Sequence, residues 1–471
     1  MLSKEGMKVC ILEKHRKFGG NLQSFRRGYY QFDTGMHYIG SLSPGQTLHN
    51  YWKYFGLADH PELLRMDEDG FDIISYPGIE FAIAQGLENF RARLLPGFPG
   101  CEKALKSYTD VLEAIADDHP LYRMELHARA ENHHYDAVPA WKFLTSLAHH
   151  LPKPGEVNLP MVLTGSGLLY DFNPVTTPLH QYGLINHSFI SSAWRFAGGS
   201  RQIADHLVEK IRSAGGTVLE RQEVVKISGN AGHFSIETAG GDVFRGEKVI
   251  SNLHPATTLG ILDGIPVQKA YHDRILKMEN TTSVFSLYLG LKPGTFPYLN
   301  RNIYHHTLNK GWPGSFMFMT PPEQGQGAWA HTAVVLSPIR YEEFSKWEVS
   351  LTGKRDRDYW IYRAQRSQRL LEAVYTKFPE LRDAIASIDI STPLTWRDYT
   401  GTPKGSMYGI LRDAAHPHHT VVFPKTKIPG LYLTGQNVNL HGAVGVTIGA
   451  VMTCGEILGL PYLVKRIKDA I

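Results

Sequence analysis

Residues 8–38 constrain the fold of this chain more than any other segment. The apolar run at residues 9–12 leads directly into the acid Glu13, and a basic turn and the pair Gly19-Gly20 follow. A buried parallel strand that ends in an acid is how nucleotide-binding folds present a carboxylate to a ribose diol. We therefore predict that Glu13 binds the ribose of a dinucleotide.

The pair Gly19-Gly20 has two interpretations. Because glycine lacks a Cβ atom, the backbone at such a pair can come close to a ligand. A glycine pair is also an ordinary turn, and in isolation the plain turn would be favoured. The preceding strand, the acid and the later sequence FDTG at residues 32–35 favour a cofactor site instead.

The same segment resembles a known enzyme family. The sequences LEKHRKFGGN and GYYQFDTGMH are similar to the segment after the first dinucleotide-binding helix in phytoene desaturases, carotenoid isomerases and retinol saturase. The resemblance implies an α/β, two-domain FAD-dependent oxidoreductase, in which a Rossmann-like FAD domain is interleaved with a substrate domain. It also implies that Asn21, Gly35 and His37 lie at the FAD site with Glu13.

Length and charge limit the class of protein. A chain of 471 residues exceeds what one hydrophobic core usually organises, so two domains are expected. The 49 basic and 45 acidic residues give a net charge of +4 that is spread along the sequence, which argues against nucleic acid as a partner. The sequence shows neither a signal peptide nor a membrane-length apolar run. We expect a cytoplasmic protein with, at most, peripheral membrane contact.

The 23 histidines and three cysteines raise the question of a metal site. The cysteines lie far apart, without the spacing of a disulfide framework or a thiolate site. Adjacent histidines point apart on a strand and diverge on a helix, so they chelate poorly. No metal is predicted for the histidine groups, which are His133-His134, His149-His150, His305-His306 and the cluster His416, His418 and His419.

The chain is predicted to visit each of two domains more than once. The FAD-binding domain is assigned to residues 1–65, 196–290 and 410–471, and the substrate-binding domain to residues 66–195 and 291–409. Residues 159–196, rich in glycine, proline and aromatic residues, have two interpretations that stay open. They are either helices joined by loops or a wall of an apolar substrate cavity.

Two residues in the middle of the chain are further candidates for cofactor contacts. The resemblance implies that the backbone near Val225 meets the adenine. Asn252 directly follows the predicted strand KVIS, residues 248–251, and so lies at its carboxyl end. Open α/β sheets bind ligands at the carboxyl ends of their strands. An asparagine that caps the following turn is the alternative.

The closing segment, residues 430–459, is the second strong signal. It predicts a strand, a polar turn and a helix rich in small residues that begins near Gly442. A helix N-terminus offers free N–H groups and the positive end of a dipole, which in flavin enzymes faces the electron-rich edge of the ring. A tightly packed core helix is the alternative. The predicted contacts are Gly435, Gln436, Asn437, Gly442, Ala443 and Val444.

Two further sequences bear on the branch of the family. PKGSMYG, residues 403–409, resembles a segment of the polyene-oxidoreductase branch. Retinol saturase-like members commonly carry Asp where this chain has Asn437. An amide can still accept a hydrogen bond from a ribityl hydroxyl, so this difference weakens the inference of exact activity more than that of the cofactor.

The predicted function is hydride transfer between a carbon framework and flavin. The resemblance implies a long, apolar, isoprenoid-like polyene that is desaturated, isomerised or saturated, with an unidentified electron donor or acceptor. No catalytic residue is assigned, and His37, Tyr182 and His187 are candidate proton donors. The alternatives are an amine-type oxidase on the same fold and a non-enzymatic prenyl-lipid carrier of the GDP-dissociation-inhibitor type.

One expected element is missing from the printed sequence. In a dinucleotide-binding unit the acid lies about 20 residues beyond a G-x-G-x-x-G turn, whereas Glu13 is the thirteenth residue. We therefore expect an N-terminally truncated chain that lacks the first βα unit, with residues 2–6 as the end of its helix. Such a chain should bind FAD weakly and expose an apolar strand edge beside residues 9–12.

Overall fold

The structure is a computed structural model that describes residues 1–127, 135–147, 156–307 and 311–471. The histidine pairs His133-His134 and His149-His150 lie outside the described residues. Within those ranges, no helix is long and apolar enough to cross a membrane.

The secondary structure is mixed throughout the chain. The strands are β1 (Cys10–Leu12), β2 (Ser24–Arg27), β3 (Tyr30–Asp33), β4 (Ile39–Gly40), β5 (Leu63–Arg65), β6 (Asp72–Tyr76), β7 (Ile79–Ile83), β8 (Ala193–Phe196), β9 (Thr217–Leu219), β10 (Val224–Asn230), β11 (His233–Thr238), β12 (Val243–Gly246), β13 (Val249–Ser251), β14 (Leu262–Asp263), β15 (Ser283–Leu291), β16 (Asn302–His306), β17 (Ser315–Met319), β18 (Thr332–Ile339), β19 (Ile385–Ser391) and β20 (Leu431–Leu433). The helices are α1 (Thr47–Phe55), α2 (Leu87–Leu94), α3 (Glu102–Asp118), α4 (Ala140–Ser146), α5 (Leu159–Leu163), α6 (Leu179–Ser191), α7 (Arg201–Ser213), α8 (Pro255–Gly260), α9 (Lys269–Leu276), α10 (Arg357–Lys377), α11 (Leu381–Ala384), α12 (Pro393–Thr400), α13 (Pro417–Thr420), α14 (Gly442–Leu458) and α15 (Leu460–Lys468).

A seven-stranded sheet forms the larger structural unit, in the order β19-β15-β18-β17-β16-β6-β7. Its neighbours are antiparallel except for β16 and β6, which run parallel. Side chains alternate between its two faces, so Leu287 packs in one hydrophobic core while its neighbour Tyr288 packs in the other. Because both faces are covered, every residue of β15 is buried.

The strands on the predicted cofactor side form shorter sheets. The parallel pairs β1–β9 and β13–β20 are separate two-stranded sheets, and β12-β11-β10-β14 form a four-stranded sheet. Strand β15 spans the predicted domain boundary at residue 290 and pairs with β18 and β19 of the seven-stranded sheet. The domain boundaries themselves stay a prediction.

Candidate functional site

Glu13 lies where the sequence predicts it, directly after β1. Its backbone N–H donates to the Leu219 carbonyl of the neighbouring strand at 2.9 Å, and its carbonyl accepts from the Gln222 N–H at 2.8 Å. One carboxylate oxygen accepts from the backbone N–H of His15 at 2.8 Å. These bonds hold the carboxylate, partly exposed, at the carboxyl end of a parallel strand.

Val225 lies three residues beyond Gln222, at the same end of these strands. The pairing of β10 with β11 shifts register between Val224 and Lys226, so Val225 occupies a β-bulge. Its side chain is 43% exposed. A bulge leaves a backbone position outside the strand ladder, as the predicted backbone contact with adenine requires.

The glycines after Glu13 have different roles. Gly19 has φ +104°, and a Cβ atom there would lie 2.7 Å from the Cβ of Ala204 on α7, so this glycine permits close packing of the turn. Gly20 has φ +53° and faces open space. A Cβ atom on Gly35 would lie 3.0 Å from the Cβ of Asn21. Gly35 also donates its N–H to the Asn21 carbonyl at 3.1 Å, which joins the two predicted cofactor residues.

Asn21 and His37 carry buried polar atoms that lack a hydrogen-bond partner among the described residues. These atoms are the Oδ1 of Asn21 and both ring nitrogens of His37. Burial, together with the nearby Arg195 cation, lowers the pKa of His37 to about 4, so its imidazole is neutral at neutral pH. Buried polar groups are normally paired, and unpaired ones at a predicted cofactor site fit a polar ligand.

Asp33, in the FDTG sequence, has a structural role that the sequence analysis missed. Its carboxylate accepts from the Ser24 hydroxyl at 2.6 Å and from the Ser200 N–H at 3.2 Å. A Cβ atom on Gly199 would lie 2.6 Å from this carboxylate. Asp33 therefore fixes the glycine turn that precedes α7.

Asn252 and Gly435 lie side by side at the ends of the parallel strands β13 and β20. Gly435 has φ +91°, and a Cβ atom there would lie 2.1 Å from the Oδ1 of Asn252. The Thr434 N–H donates to the Ser251 carbonyl at 3.0 Å and holds the two strand ends together. Both the conformation and the space therefore require glycine at position 435.

Asn437 is buried and uses its side chain within the protein. Its Oδ1 accepts from the Ile410 N–H at 2.9 Å. Arg412 donates to the backbone carbonyls of Asn437 and Asn439, while Gln436 is only partly buried. The polar turn is therefore tied to the segment that follows PKGSMYG. The predicted contact of Asn437 with a ribityl hydroxyl stays a prediction.

The helix α14 begins at Gly442, as predicted. His441 precedes it, and its side chain makes no hydrogen bond to the first turn, so the N-cap residue does not satisfy these N–H groups. Ala443, Val444 and Met36 all pack against the same apolar cluster. Strand β4, which begins two residues after His37, also contacts α14. The structure thus brings the segment ending at His37 to the N-terminus of α14.

Tyr408 and His441 join this helix to the glycine- and aromatic-rich segment, residues 159–196. Their rings stack with a centroid distance of 4.2 Å. The Tyr408 hydroxyl donates to the Leu168 carbonyl at 2.8 Å, and the His441 Nε2 pairs with the Leu169 carbonyl at 2.9 Å. The resemblance in PKGSMYG included Tyr408, but nothing in the sequence indicated its partner.

An aromatic cluster extends from the seven-stranded sheet to the start of α14. Its buried members include Tyr38, Tyr170, Tyr182, Tyr288, Tyr304 and Met317, and Met407, Leu440 and Val444 pack against it. No group of three or more metal-ligating side chains occurs in the described part of the chain. The apolar interior therefore continues from the seven-stranded sheet to the residues at the start of α14.

Two of the candidate proton donors, Tyr182 and His187, lie on α6, and Tyr182 is itself a member of this cluster. The Tyr182 hydroxyl donates to the Leu163 carbonyl at 2.9 Å and bonds to the Tyr108 hydroxyl at 2.9 Å. His187 pairs with the Tyr122 hydroxyl at 2.9 Å and with Glu113 at 3.4 Å. Both side chains are thus engaged in hydrogen bonds between helices.

Comparisons of the sequence with known proteins show the family of this chain. Residues 1–454 match the family described as flavin containing amine oxidoreductase. All-trans-retinol 13,14-reductase of Danio rerio is 26% identical over 517 residues, which cover 97% of this chain and 83% of the relative. Chloroplastic prolycopene isomerase of Arabidopsis thaliana is 22% identical over 481 residues, covering 96% and 78%.

A solved structure supports the same fold. Cyclohexylamine oxidase from Brevibacterium oxydans IH-35A superposes with a TM-score of 0.60 at 12% identity, covering 99% of this chain and 95% of the other. At this identity the likeness shows the fold alone. The predicted family and the α/β oxidoreductase fold are confirmed, and the chain belongs to the flavin containing amine oxidoreductase family as a flavin-dependent oxidoreductase.

Proposed function

We propose that this protein binds FAD and oxidises or reduces carbon–carbon bonds of a long apolar polyene or isoprenoid-like lipid. The observation that carries the proposal is the contact between the aromatic cluster and the first turn of α14, through Leu440 and Val444. The names of the relatives, a retinol reductase and a prolycopene isomerase, support the same class of substrate.

Several residues fit FAD in particular. Glu13 stands at a strand end suited to the ribose of an adenosine, and FMN has no such group. Asn21 and His37 offer the unpaired polar atoms, while Asn252 and Gly435 form the narrow junction of two strand ends. The uncapped N–H groups of α14 would stabilise negative charge on a reduced ring. FAD, when bound, supplies reversible transfer of a hydride.

The protein side chains then have three tasks. The aromatic cluster binds the polyene by apolar burial and keeps water away from the reacting carbons. Tyr408 and His441 fix the substrate-side wall to the start of α14 through their bonds to Leu168 and Leu169. Saturation would also require a proton at the second carbon, which a protein group must supply.

The test compares substrates on the purified protein reconstituted with FAD. All-trans-retinol and prolycopene are mixed anaerobically with oxidised or dithionite-reduced protein, and both flavin and polyene absorbance are followed. We expect a spectral shift of the polyene together with a change in flavin redox state. Putrescine and cyclohexylamine are the comparison, and bleaching of flavin by an amine but by neither polyene would contradict the proposal. Reconstitution with FMN instead of FAD tests the choice of cofactor.

The proposal extends to location. A polyene of this kind partitions into bilayers, so we propose a cytoplasmic protein that contacts membranes peripherally to exchange substrate. Co-sedimentation with phosphatidylcholine vesicles, with and without retinol, measures this contact. Failure to co-sediment under both conditions would contradict the membrane part of the proposal alone.

A further inference from the structure

A buried chain of acidic and phenolic groups includes two tyrosines of the aromatic cluster. The Tyr38 hydroxyl donates to the Oδ2 of Asp72 at 3.0 Å and lies 2.7 Å from the hydroxyl of Tyr304. Tyr38 is 7% exposed, Asp72 is 1% exposed and Tyr304 is 2% exposed. The three side chains form one continuous hydrogen-bonded path that is largely shielded from solvent, with Tyr38 as its most exposed member.

Asp72 is held in a way that lets it keep a proton. The Asn302 amide donates to its Oδ1 at 2.8 Å, and the Oδ1 of the same amide accepts from Arg195 at 2.6 Å. The cation is therefore separated from the carboxylate by Asn302, and its other bonds go to the backbone carbonyls of residues 299, 301 and 320. Burial raises the pKa of Asp72 to about 7.

The other end of the path lies near Tyr408, which contacts the residue directly before the predicted flavin helix. Burial and the nearby Asp72 raise the pKa of Tyr304, and Tyr408 and Tyr170 are close enough to contribute. Tyr408 stacks on His441, the residue directly before α14. In the described part of the chain, the Tyr304 hydroxyl has a recorded hydrogen bond to Tyr38 alone.

We propose that the chain Asp72–Tyr38–Tyr304 delivers the proton during saturation of the polyene, with the Tyr304 hydroxyl as the final donor. This inference rests on the proposed function. One alkene carbon receives a hydride from the reduced flavin, and the neighbouring carbon receives the Tyr304 proton. The π bond breaks as two C–H bonds form.

Proton transfer along the path then restores the donor. Tyr38 reprotonates Tyr304, Asp72 reprotonates Tyr38, and the Asp72 carboxyl recovers its proton from water after product release. Two electrons leave the flavin in each turnover, and an external reductant, dithionite in the test, replaces them. The tyrosines need no net change in ionisation, because each gives and receives one proton.

In the described part of the chain, few titratable or charged groups act on the path. Arg195 approaches Asp72 through Asn302, and His37, which is neutral at neutral pH, lies next to Tyr38 in the chain. The remaining groups, near Tyr304, are Tyr170 and Tyr408. None of these is an ionised acid, so Asp72 is the one group of this set that can store an exchangeable proton near neutral pH.

The test uses the full chain reconstituted with FAD and the variants Tyr304→Phe and Asp72→Asn. Tyr76→Phe is the matched control, because Tyr76 is a buried tyrosine of the same sheet whose hydroxyl donates to the Met161 carbonyl outside the path. Flavin content is measured first, then single-turnover saturation of retinol by dithionite-reduced protein. A general acid typically contributes about 10²–10⁴-fold, so we expect at least a roughly 10²-fold loss in Tyr304→Phe and Asp72→Asn.

A second readout is independent of turnover. Infrared titration of the apoprotein should show a buried carboxylic-acid band that ionises around pH 7 in wild type and in Tyr76→Phe and that is lost in Asp72→Asn. The band of Asp33, whose pKa burial raises to about 6, should remain in all of these proteins. Absence of this band in wild type would overturn the proton path. So would saturation at the wild-type rate by Tyr304→Phe with normal flavin content. Failure of wild type itself to convert any polyene would instead overturn the proposed function and, with it, the path as its proton donor.

Discussion

The cofactor side and the substrate side of the site are built in different ways. On the cofactor side, glycines such as Gly19 and Gly435 stand where a Cβ atom would collide, around short pairs of parallel strands. On the substrate side, large polar side chains such as Tyr304 and Arg195 are buried in and beside a seven-stranded sheet. The first side depends on backbone shape, and the second depends on side-chain hydrogen bonds.

This difference predicts how each side responds to mutation. Removing a buried side chain that hydrogen-bonds to several partners should lower the free energy of unfolding, because unpaired groups stay behind in the core. Changes to partly exposed groups of the cofactor side, such as Glu13 and Ala443, should mainly weaken flavin binding. The predictions below separate these two responses.

The largest effect is expected for Arg195→Met. Arg195 is 1% exposed and donates to three backbone carbonyls and to Asn302, so its removal leaves buried acceptors unpaired. We expect a loss of about 3–5 kcal/mol in the free energy of unfolding, measured by urea denaturation. The control is Arg201→Met, which removes an exposed ion pair with Asp205 and should cost about 0–1 kcal/mol. Equal losses in both variants would contradict the prediction.

Asp72→Asn should change how stability depends on pH. The carboxyl has a pKa of about 7 in the folded protein against an ordinary value of 3.8, so between these values the folded state binds more protons than the unfolded state. Its contribution to the free energy of unfolding therefore falls as pH rises through this window. As the pH rises from the lower to the higher of these two pKa values, we expect the free energy of unfolding of Asp72→Asn to gain about 2–4 kcal/mol relative to that of wild type.

The matched control for this pH effect is Asp69→Asn. Asp69 is exposed, and its hydrogen bond to Arg93 lowers the pKa of its carboxyl. The stabilising contribution of Asp69 is therefore fully present above pH 3.8, the ordinary pKa of the group, and it is lost only as the pH falls further. Urea denaturation at a series of pH values checks both variants, and parallel curves for wild type and Asp72→Asn would show that Asp72 is ionised throughout.

The two sides also differ in how far the sequence predicts them. Glu13, Gly435 and the start of α14 follow from local patterns, because a strand end, a glycine turn and a helix start are encoded within a few residues. The structure places Glu13 at a strand end, Gly435 in a turn beside Asn252 and Gly442 at a helix start, and their contacts with the cofactor stay predictions. The local pattern did not show that Gly19 packs against Ala204 of α7.

The buried path could not be predicted in the same way. Tyr38 and Tyr304 are 266 residues apart in sequence, and they meet because β6 and β16 pair in parallel beside Tyr38. Nothing local to either tyrosine indicates that pairing. Asp72 is also unexpected from the local sequence. It is the first residue of the buried strand β6, where the pattern alone would predict an apolar side chain. Such positions, where a buried polar residue departs from the local pattern, are the ones at which function is expected.

Ala443→Leu is expected to affect flavin more than folding. Ala443 is partly buried in the first turn of α14, and the larger side chain would occupy space on the side predicted to face the ring. Overpacking typically costs about 1–3 kcal/mol, so the fold should survive while flavin content after reconstitution falls. Val446→Leu, at a 37% exposed position of the same helix, is the control and should bind flavin normally. A folded Ala443→Leu protein with full flavin affinity would show that this turn does not face the ring.

The smallest effect is expected for Glu13→Gln, which tests the cofactor side without altering its shape. In wild type the Glu13 carboxylate accepts from the His15 N–H at 2.8 Å, and the glutamine amide keeps an acceptor for this bond. The amide loses the negative charge that strengthens hydrogen bonds from a ribose diol. We expect FAD affinity to weaken by about 1 kcal/mol, or roughly fivefold in Kd, with an unchanged free energy of unfolding. Titration of apoprotein with FAD by flavin fluorescence measures this, and Glu220→Gln, an exposed carboxylate just beyond β9, is the control. If both variants bind FAD as wild type does, Glu13 is not the ribose ligand, and the backbone shape of this side alone would determine affinity.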